Sequence, residues 1–308
     1  MKALKGKGRV ILPALMALSL AVTGISCSNK KAGLPEKTVP VSFAGCRCSV
    51  YGIRPFPTQD EWFKYVEKIA EQFPGSAPSF VWIVGSIEGN GTAKSCIINF
   101  PLDKPIAGVN SFPVDQNEEF LTECDKRGYK VWLQVEPGDC DLVELARQTM
   151  KRYKKHSSVM GFGVDVEWHK PGGTDGFGSP LTDELAEAVD KAVKAADPSF
   201  SVFVKHWDMD WLPPTYRGVN NDMIFVDDSQ QHGSLESMKN TFDGWAQYYA
   251  PNPVIFQIGY ESDIKIWNPM ENPVAELGNL LAEGCEDGQH CGIVWVDFSL
   301  KKVMKKLK

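Results

Sequence analysis

Eight short apolar runs, each closed by turn residues and most followed by a segment of helical periodicity, constrain this chain more than any other feature. The runs span 39–45, 80–85, 130–136, 159–167, 201–207, 222–227, 254–260 and 292–298. Apolar runs of this length bounded by Gly, Pro, Asn and Asp predict strands. Helices are predicted over 58–73, 115–127, 141–155, 182–196, 234–249, 273–283 and 299–307. The first opens on Thr58 with Glu61 three residues later, the pattern of a capping box. Strands alternating with helices make a parallel sheet, and eight such units close a (β/α)8 TIM barrel. We therefore expect one α/β domain over 39–308. The stretch between the fifth and sixth strands is short and holds Pro213 and Pro214, so the helix after strand five should be reduced or missing. An open doubly wound sheet is the alternative. Its nucleotide-binding form needs G-x-G-x-x-G after the first strand, whereas Gly45 is followed by Cys-Arg-Cys. The glycine-bearing stretch 86–113 should cap one end of the barrel and add a short strand at 95–100.

The fourth run, Val-Met-Gly-Phe-Gly-Val-Asp-Val-Glu over 159–167, is unusual for a structural strand. Side chains two apart on a strand point the same way. Asp165 and Glu167 then share a face with Gly161 and Gly163, while Phe162, Val164 and Val166 take the other. The two carboxyls would lie roughly 6–7 Å apart at Cβ, from the strand rise. Like charges that close, in a partly dry pocket, raise one of the two pKa values. Glu167, longer and nearer the mouth, is the expected general acid, and Asp165 its partner.

Barrel active sites lie at the C-terminal ends of the strands. Those ends carry Gln134 and Glu136, then His206, Trp207 and Asp208, then Asp227 and Asp228, then Gln257, Tyr260 and Glu261, and last Trp295 and Asp297. Acids and amides beside large aromatics suit a carbohydrate, whose hydroxyls hydrogen-bond to the polar groups while its C–H faces stack on rings. Trp168, Trp207, Trp211, Tyr260 and Trp295 are the candidate platforms, and Trp62, Trp132 and Trp245 are expected to pack. Glutamine, acid and aromatic residues at 134, 136, 206, 207, 227, 257, 260, 261, 295 and 297 form the expected substrate-binding set. Glycosidic cleavage needs one carboxylic acid to protonate the leaving oxygen and a second group to stabilise or attack the anomeric centre.

Gly163-Val-Asp165-Val-Glu167 resembles the end of the chitinase-type (family 18 glycoside hydrolase) motif D-x-x-D-x-D-x-E, matched at Asp165 and Glu167. The preceding motif acids fall on Gly163 and Met160. The segment ending Phe225-Val226-Asp227 resembles that family's strand-six Met-x-Tyr-Asp with one extra residue, and Gly292-Ile-Val-Trp295 its final-strand tryptophan. Val164-Asp165-Val166-Glu167 is equally similar to the Asp-x-Glu of lysozyme-type (family 25) barrels. The first resemblance implies that Glu167 protonates the leaving oxygen while Asp165 orients a substrate N-acetyl group. The second implies that both carboxylates flank the scissile bond of a cell-wall glycan.

Lys2, Lys5, Lys7 and Arg9 precede a short apolar run, and Thr-Gly-Ile-Ser-Cys27 resembles a bacterial lipobox. We expect a lipoprotein signal peptide over 1–26, lipidation at Cys27, a tether over 27–38, and an exported lipoprotein of the cell envelope held to the membrane by that anchor. Loss of the leader's four positive charges moves the formal net charge from −6 to −10. That balance argues against a nucleic-acid partner. Seven cysteines remain beyond Cys27, and Cys285 and Cys291 could close a small loop. No cofactor is expected. Two rivals stay open. One is a glycan-binding barrel without catalysis. The other is a metal-dependent hydrolase using Asp165, Glu167, His169, His206, Asp208 and Asp227, although no His-x-His follows strand one.

Overall fold

The computed structural model describes residues 41–89, 94–171 and 178–307. The expected leader, Cys27 and the tether lie outside them. Eight parallel strands form the barrel: β1 (Val41–Cys48), β2 (Ala77–Glu88), β5 (Lys130–Val135), β6 (Val159–Asp165), β7 (Ser201–His206), β8 (Ile224–Asp227), β9 (Val254–Ile258) and β10 (Cys291–Val296). β1 pairs with both β2 and β10, which closes the ring. The strand expected at 95–100 is present as β3 (Ser95–Ile98), antiparallel to the end of β2, and β4 (Val109–Ser111) extends that ribbon. The fold is a (β/α)8 barrel.

Helices α1 (Gln59–Ala70), α2 (Glu118–Arg127), α3 (Leu142–Tyr153), α4 (Asp183–Lys194), α5 (Leu235–Tyr249), α6 (Ile264–Trp267), α7 (Pro273–Ala282) and α8 (Asp297–Val303) follow the strands. Only a single 3-10 turn, Met209–Trp211, stands between β7 and β8, as the proline pair suggests. The capping box on α1 is made: the Thr58 side chain accepts from the Glu61 N–H, and the Glu61 carboxylate accepts from the Thr58 N–H. This satisfies two N–H groups that a helix start leaves without partners. The inner face of α1 then buries Trp62, Phe63, Val66 and Ile69. Each large side chain so buried contributes about 1.5–3 kcal/mol.

Two apolar layers result. Outward-facing strand residues such as Phe80, Leu133, Phe162, Val164 and Phe256 pack beneath the helices. Inside the barrel, Val81, Trp132, Phe203, Ile224, Val226, Ile255 and Val294 form a separate plug, with Phe43 and Met160 against it. This plug fills the lower barrel, so polar inward groups collect above it, toward the C-terminal strand ends. Gly163 belongs to the plug's upper edge. A Cβ there would lie 2.0 Å from the Phe203 ring. The position at which the family 18 motif carries an acid is thus occupied by a neighbouring aromatic.

No disulfide forms among the described cysteines, which are all buried. Cys285 and Cys291 do meet, thiol hydrogen-bonded to thiol. Trp62, Trp132 and Trp245 are core residues, as expected.

Candidate active site

Above the plug lies a cavity of about 360 Å³. Every barrel strand, or the turn that follows it, contributes to its wall: Arg47 and Tyr51, Ser86 and Ile87, Glu136, Asp165 with Glu167 and Trp168, Lys205, Asp228 and Gln230, Tyr260, and Phe298.

Strand register builds the floor. Asp165 on β6 and Lys205 on β7 are direct Cα partners. Their side chains both point inward and form an ion pair at 3.0 Å. Lys205 also contacts Asp228. Gln134, from the strand on the other side, donates its amide to Asp165 at 3.2 Å. Gln257 donates to the Tyr260 hydroxyl at 2.5 Å, and that hydroxyl donates to Asp228 at 3.4 Å. Gly259, at φ +94°, lets the chain turn between β9 and Tyr260, and its bare Cα lies against the Trp295 indole.

A second chain of contacts makes the side wall. Arg47 pairs with Asp297 at 3.0 Å, across the β1–β10 seam. The other Asp297 oxygen accepts from the Ser49 N–H at 2.7 Å and from its hydroxyl. Arg47 also donates to the Tyr51 hydroxyl, which donates in turn to Glu136. The remaining Glu136 oxygen accepts from the Ile87 N–H at 2.9 Å.

Glu167 is different. The strand ends at Asp165, and Glu167 sits in the 3-10 turn Val166–Trp168 that follows. The expectation that both acids share one strand face therefore fails at Glu167. The cavity nevertheless receives both side chains, because the turn brings Glu167 back over the mouth. Among the described residues no hydrogen bond or ion pair holds the Glu167 carboxylate. Burial raises its pKa above the usual carboxylate range; Lys205 opposes this, and Asp228 and Glu136 reinforce it. Burial raises Asp165 too, again against Lys205 and with Glu167 reinforcing. Burial alone would lower the Lys205 pKa, but Asp165 and Asp228 outweigh it and keep the ammonium charged.

Among the described residues, four carboxyls in the cavity wall thus face two cations, and both cations are already committed. Burial in this poorly solvated space favours keeping a proton on Asp165 and on Glu167. Glu167, without a cation of its own, is the group best placed to keep one. Burial raises Asp165 well above the usual carboxylate range, and Lys205 at 3.0 Å is the contact that favours its anion.

Of the residues expected at the site, Asp165, Glu167, Glu136 and Tyr260 line the cavity, as does Trp168. Gln134 and Gln257 lie just beneath, and Asp297 lies behind Arg47. Others lie elsewhere. His206 and Asp227 alternate outward, since Lys205 and Asp228 hold the inward positions of their strands. His206 accepts from the Asp208 N–H at 2.9 Å and stacks on Trp207 and Trp211. Burial pushes the Asp227 carboxyl up to about 8 and pulls His206 down to about 4. Trp295 faces the outer core, packed on Trp267 and bonded to Ser299. Glu261 is a surface residue paired with Lys302 at 3.5 Å. Arg47, Tyr51, Lys205, Gln230 and Phe298 line the cavity without having been expected there, and Asp228, noted at its strand end, lines it where Asp227 was expected to bind. Parity from Phe203, Val226 and Phe43 points to Lys205, Asp228 and Arg47. Among the described residues no three His, Cys, Asp or Glu side chains are disposed to hold a metal ion. His169, a candidate ligand, is bonded instead to the Ser179 carbonyl at 3.0 Å.

No family model and no curated protein matches the chain. Among solved structures it is similar to a Bacteroides thetaiotaomicron VPI-5482 protein provisionally described as an alpha-L-fucosidase. That match has 12% identity and a TM-score of 0.52 over 96% of this chain and 98% of that one. A Prevotella bryantii endo-beta-mannanase/endo-beta-glucanase aligns at 10% identity and a TM-score of 0.47, covering 87% of this chain and 48% of that one. The 7,8-dihydropteroate synthase of Vibrio fischeri ES114 aligns at 10% identity and 0.43, covering 87% and 91%. The first likeness is one of fold. Membership of glycoside hydrolase family 18 or 25 is not supported by any of these matches.

Proposed function

We propose that this protein is a glycoside hydrolase whose general acid is Glu167. The observation that carries the proposal is the pairing of two unlike carboxyls in one walled cavity. Asp165 is held at 3.0 Å by Lys205, whereas Glu167 lies nearby with no cation of its own. A carboxyl paired with a cation beside one that has none can divide the roles of anionic partner and acid. Glu167 would protonate the leaving oxygen, and Asp165 would stabilise charge developing at the anomeric carbon. Trp168 and Tyr260 supply aromatic surface for a sugar ring. A barrel alone carries no chemistry with it, so the proposal rests on these side chains and not on the fold.

The family 18 version of the mechanism, with a further acid at position 163, does not fit, because Phe203 fills that space. The basic leader and Cys27 support an exported, lipid-anchored location, which we propose alongside the activity. The test is a screen of the purified full-length chain on chitin, peptidoglycan, and plant and host polysaccharides, with Glu167→Gln in parallel. New reducing ends from at least one substrate, reduced at least about a hundredfold in the variant, are expected. Full activity in Glu167→Gln would overturn the assignment of the acid. Saturable glycan binding by both proteins with no turnover would favour a binding barrel. Loss of turnover on chelation would favour a metal hydrolase.

A further inference from the structure

We propose that the cavity accepts one uncharged terminal sugar unit, so that the enzyme works from a chain end and rejects acidic sugars. This rests on the glycoside hydrolase reading and adds mode and substrate class to it.

The shape argues for a terminal unit. Cutting within a chain requires a groove open at two ends, through which polymer can pass. Here all eight barrel strands contribute wall residues, so among the described residues the space is centred on the barrel axis and dead-ends there. Its depth is stopped from below by the apolar plug of Trp132, Phe203 and their neighbours. The volume of about 360 Å³ lies at the low end of small-molecule sites, which span about 300–1,000 Å³. A blind pocket of that size suits the end of a chain.

Chemistry argues for a neutral unit. Asp165 and Asp228 are almost fully buried, and each leaves one carboxyl oxygen without a partner, Oδ1 in both cases. Below them, the side-chain oxygens of Gln134 and Gln257 also lack partners. Buried acceptors left open are costly unless something donates to them. On the donor side, among the described side chains of this cavity, only Arg47 Nε is similarly open. The floor therefore asks for donors, which sugar hydroxyls supply and carboxylate or sulfate groups do not. An anionic sugar would need a free cation. Arg47 is spent on Asp297 and Tyr51, and Lys205 on Asp165 and Asp228.

The experiment follows products from reducing-end-labelled neutral oligosaccharides over time, with matched chains ending in a uronic acid or a sulfated sugar. Shortening by one unit, with free monosaccharide as the first product, and at least about tenfold slower release from the acidic chains is expected. Internal fragments as first products, or equal rates on acidic chains, would overturn the proposal while leaving the hydrolase reading intact. If no chain is cut, the hydrolase reading falls, and calorimetry with glucose, galactose, mannose, fucose, xylose, N-acetylglucosamine and glucuronate decides the pocket. Saturable binding of a neutral monosaccharide, weakened about tenfold by Trp168→Ala at the rim, would support it. Binding of glucuronate alone, binding untouched by Trp168→Ala, or no monosaccharide binding would overturn it.

Discussion

Replacing Lys205 with Met tests the electrostatic design of the site. Methionine keeps much of the side-chain length and removes the ammonium. In the intact protein that ammonium lies 3.0 Å from Asp165 and also touches Asp228, with all three groups buried. At an effective dielectric of about 20, a unit charge pair at this separation interacts by about 5 kcal/mol. Burial of the ammonium offsets part of this. Removal of one partner from a buried pair typically costs about 3–5 kcal/mol, since the stranded charge has no water to turn to. The stranded group here can escape by taking up a proton. The Asp165 carboxyl, already raised by burial, rises further without Lys205. A carboxyl whose folded pKa exceeds its unfolded one binds its proton more tightly when folded, so its penalty grows with pH. Lys205→Met should therefore lose about 3–5 kcal/mol at pH 8 and distinctly less at pH 5. Urea unfolding followed by circular dichroism at the two pH values measures both. A loss under about 1 kcal/mol at pH 8, or the same loss at both, would show that Lys205 does not hold the acids together.

Gly163→Ala places a methyl 2.0 Å from the Phe203 ring and should cost about 1–3 kcal/mol by thermal unfolding, with Gly163→Asp worse and no gain in activity. Asp227, pushed up to about 8 by burial, makes folding less favourable as pH rises from about 4 to about 8. Asp227→Asn removes that slope, so the variant should gain stability on the wild type between pH 5 and pH 8, by an amount bounded at about 5 kcal/mol; parallel stability curves would count against it. His206, pulled down to about 4, acts oppositely: stability falls as pH drops from about 6.5 to about 4, and His206→Gln should flatten that limb. Tyr51→Phe breaks the bridge between Arg47 and Glu136, and should lower kcat/KM on any glycan cleaved while changing stability by about 1 kcal/mol or less.

The barrel was legible because its signals are local. Apolar runs, the Thr58–Glu61 box and the proline pair at 213 and 214 each act over a few residues, and each has the expected outcome in the structure. Asp165 and Glu167 were legible for the same reason, although the strand ends one turn sooner than its alternation suggests. The errors have a common cause. Barrel strands are buried on both faces, outward under helices and inward against the plug, so apolar residues occupy both and the alternation that would mark the inner face is erased. His206 was expected where Lys205 stands, and Asp227 where Asp228 stands. One residue of parity exchanges the solvent-screened core for the cavity.

What the chain determines by itself is therefore the number and kind of its elements, and the presence of acids at the strand ends. Which acid stands beside a cation is decided only when the barrel closes. Closure brings β1 against β10, so that Arg47 meets Asp297 across 250 positions of sequence. Strand register then sets Lys205 between Asp165 and Asp228. Proton affinity depends on burial and on charges a few ångströms away, and neither quantity exists along an unfolded chain.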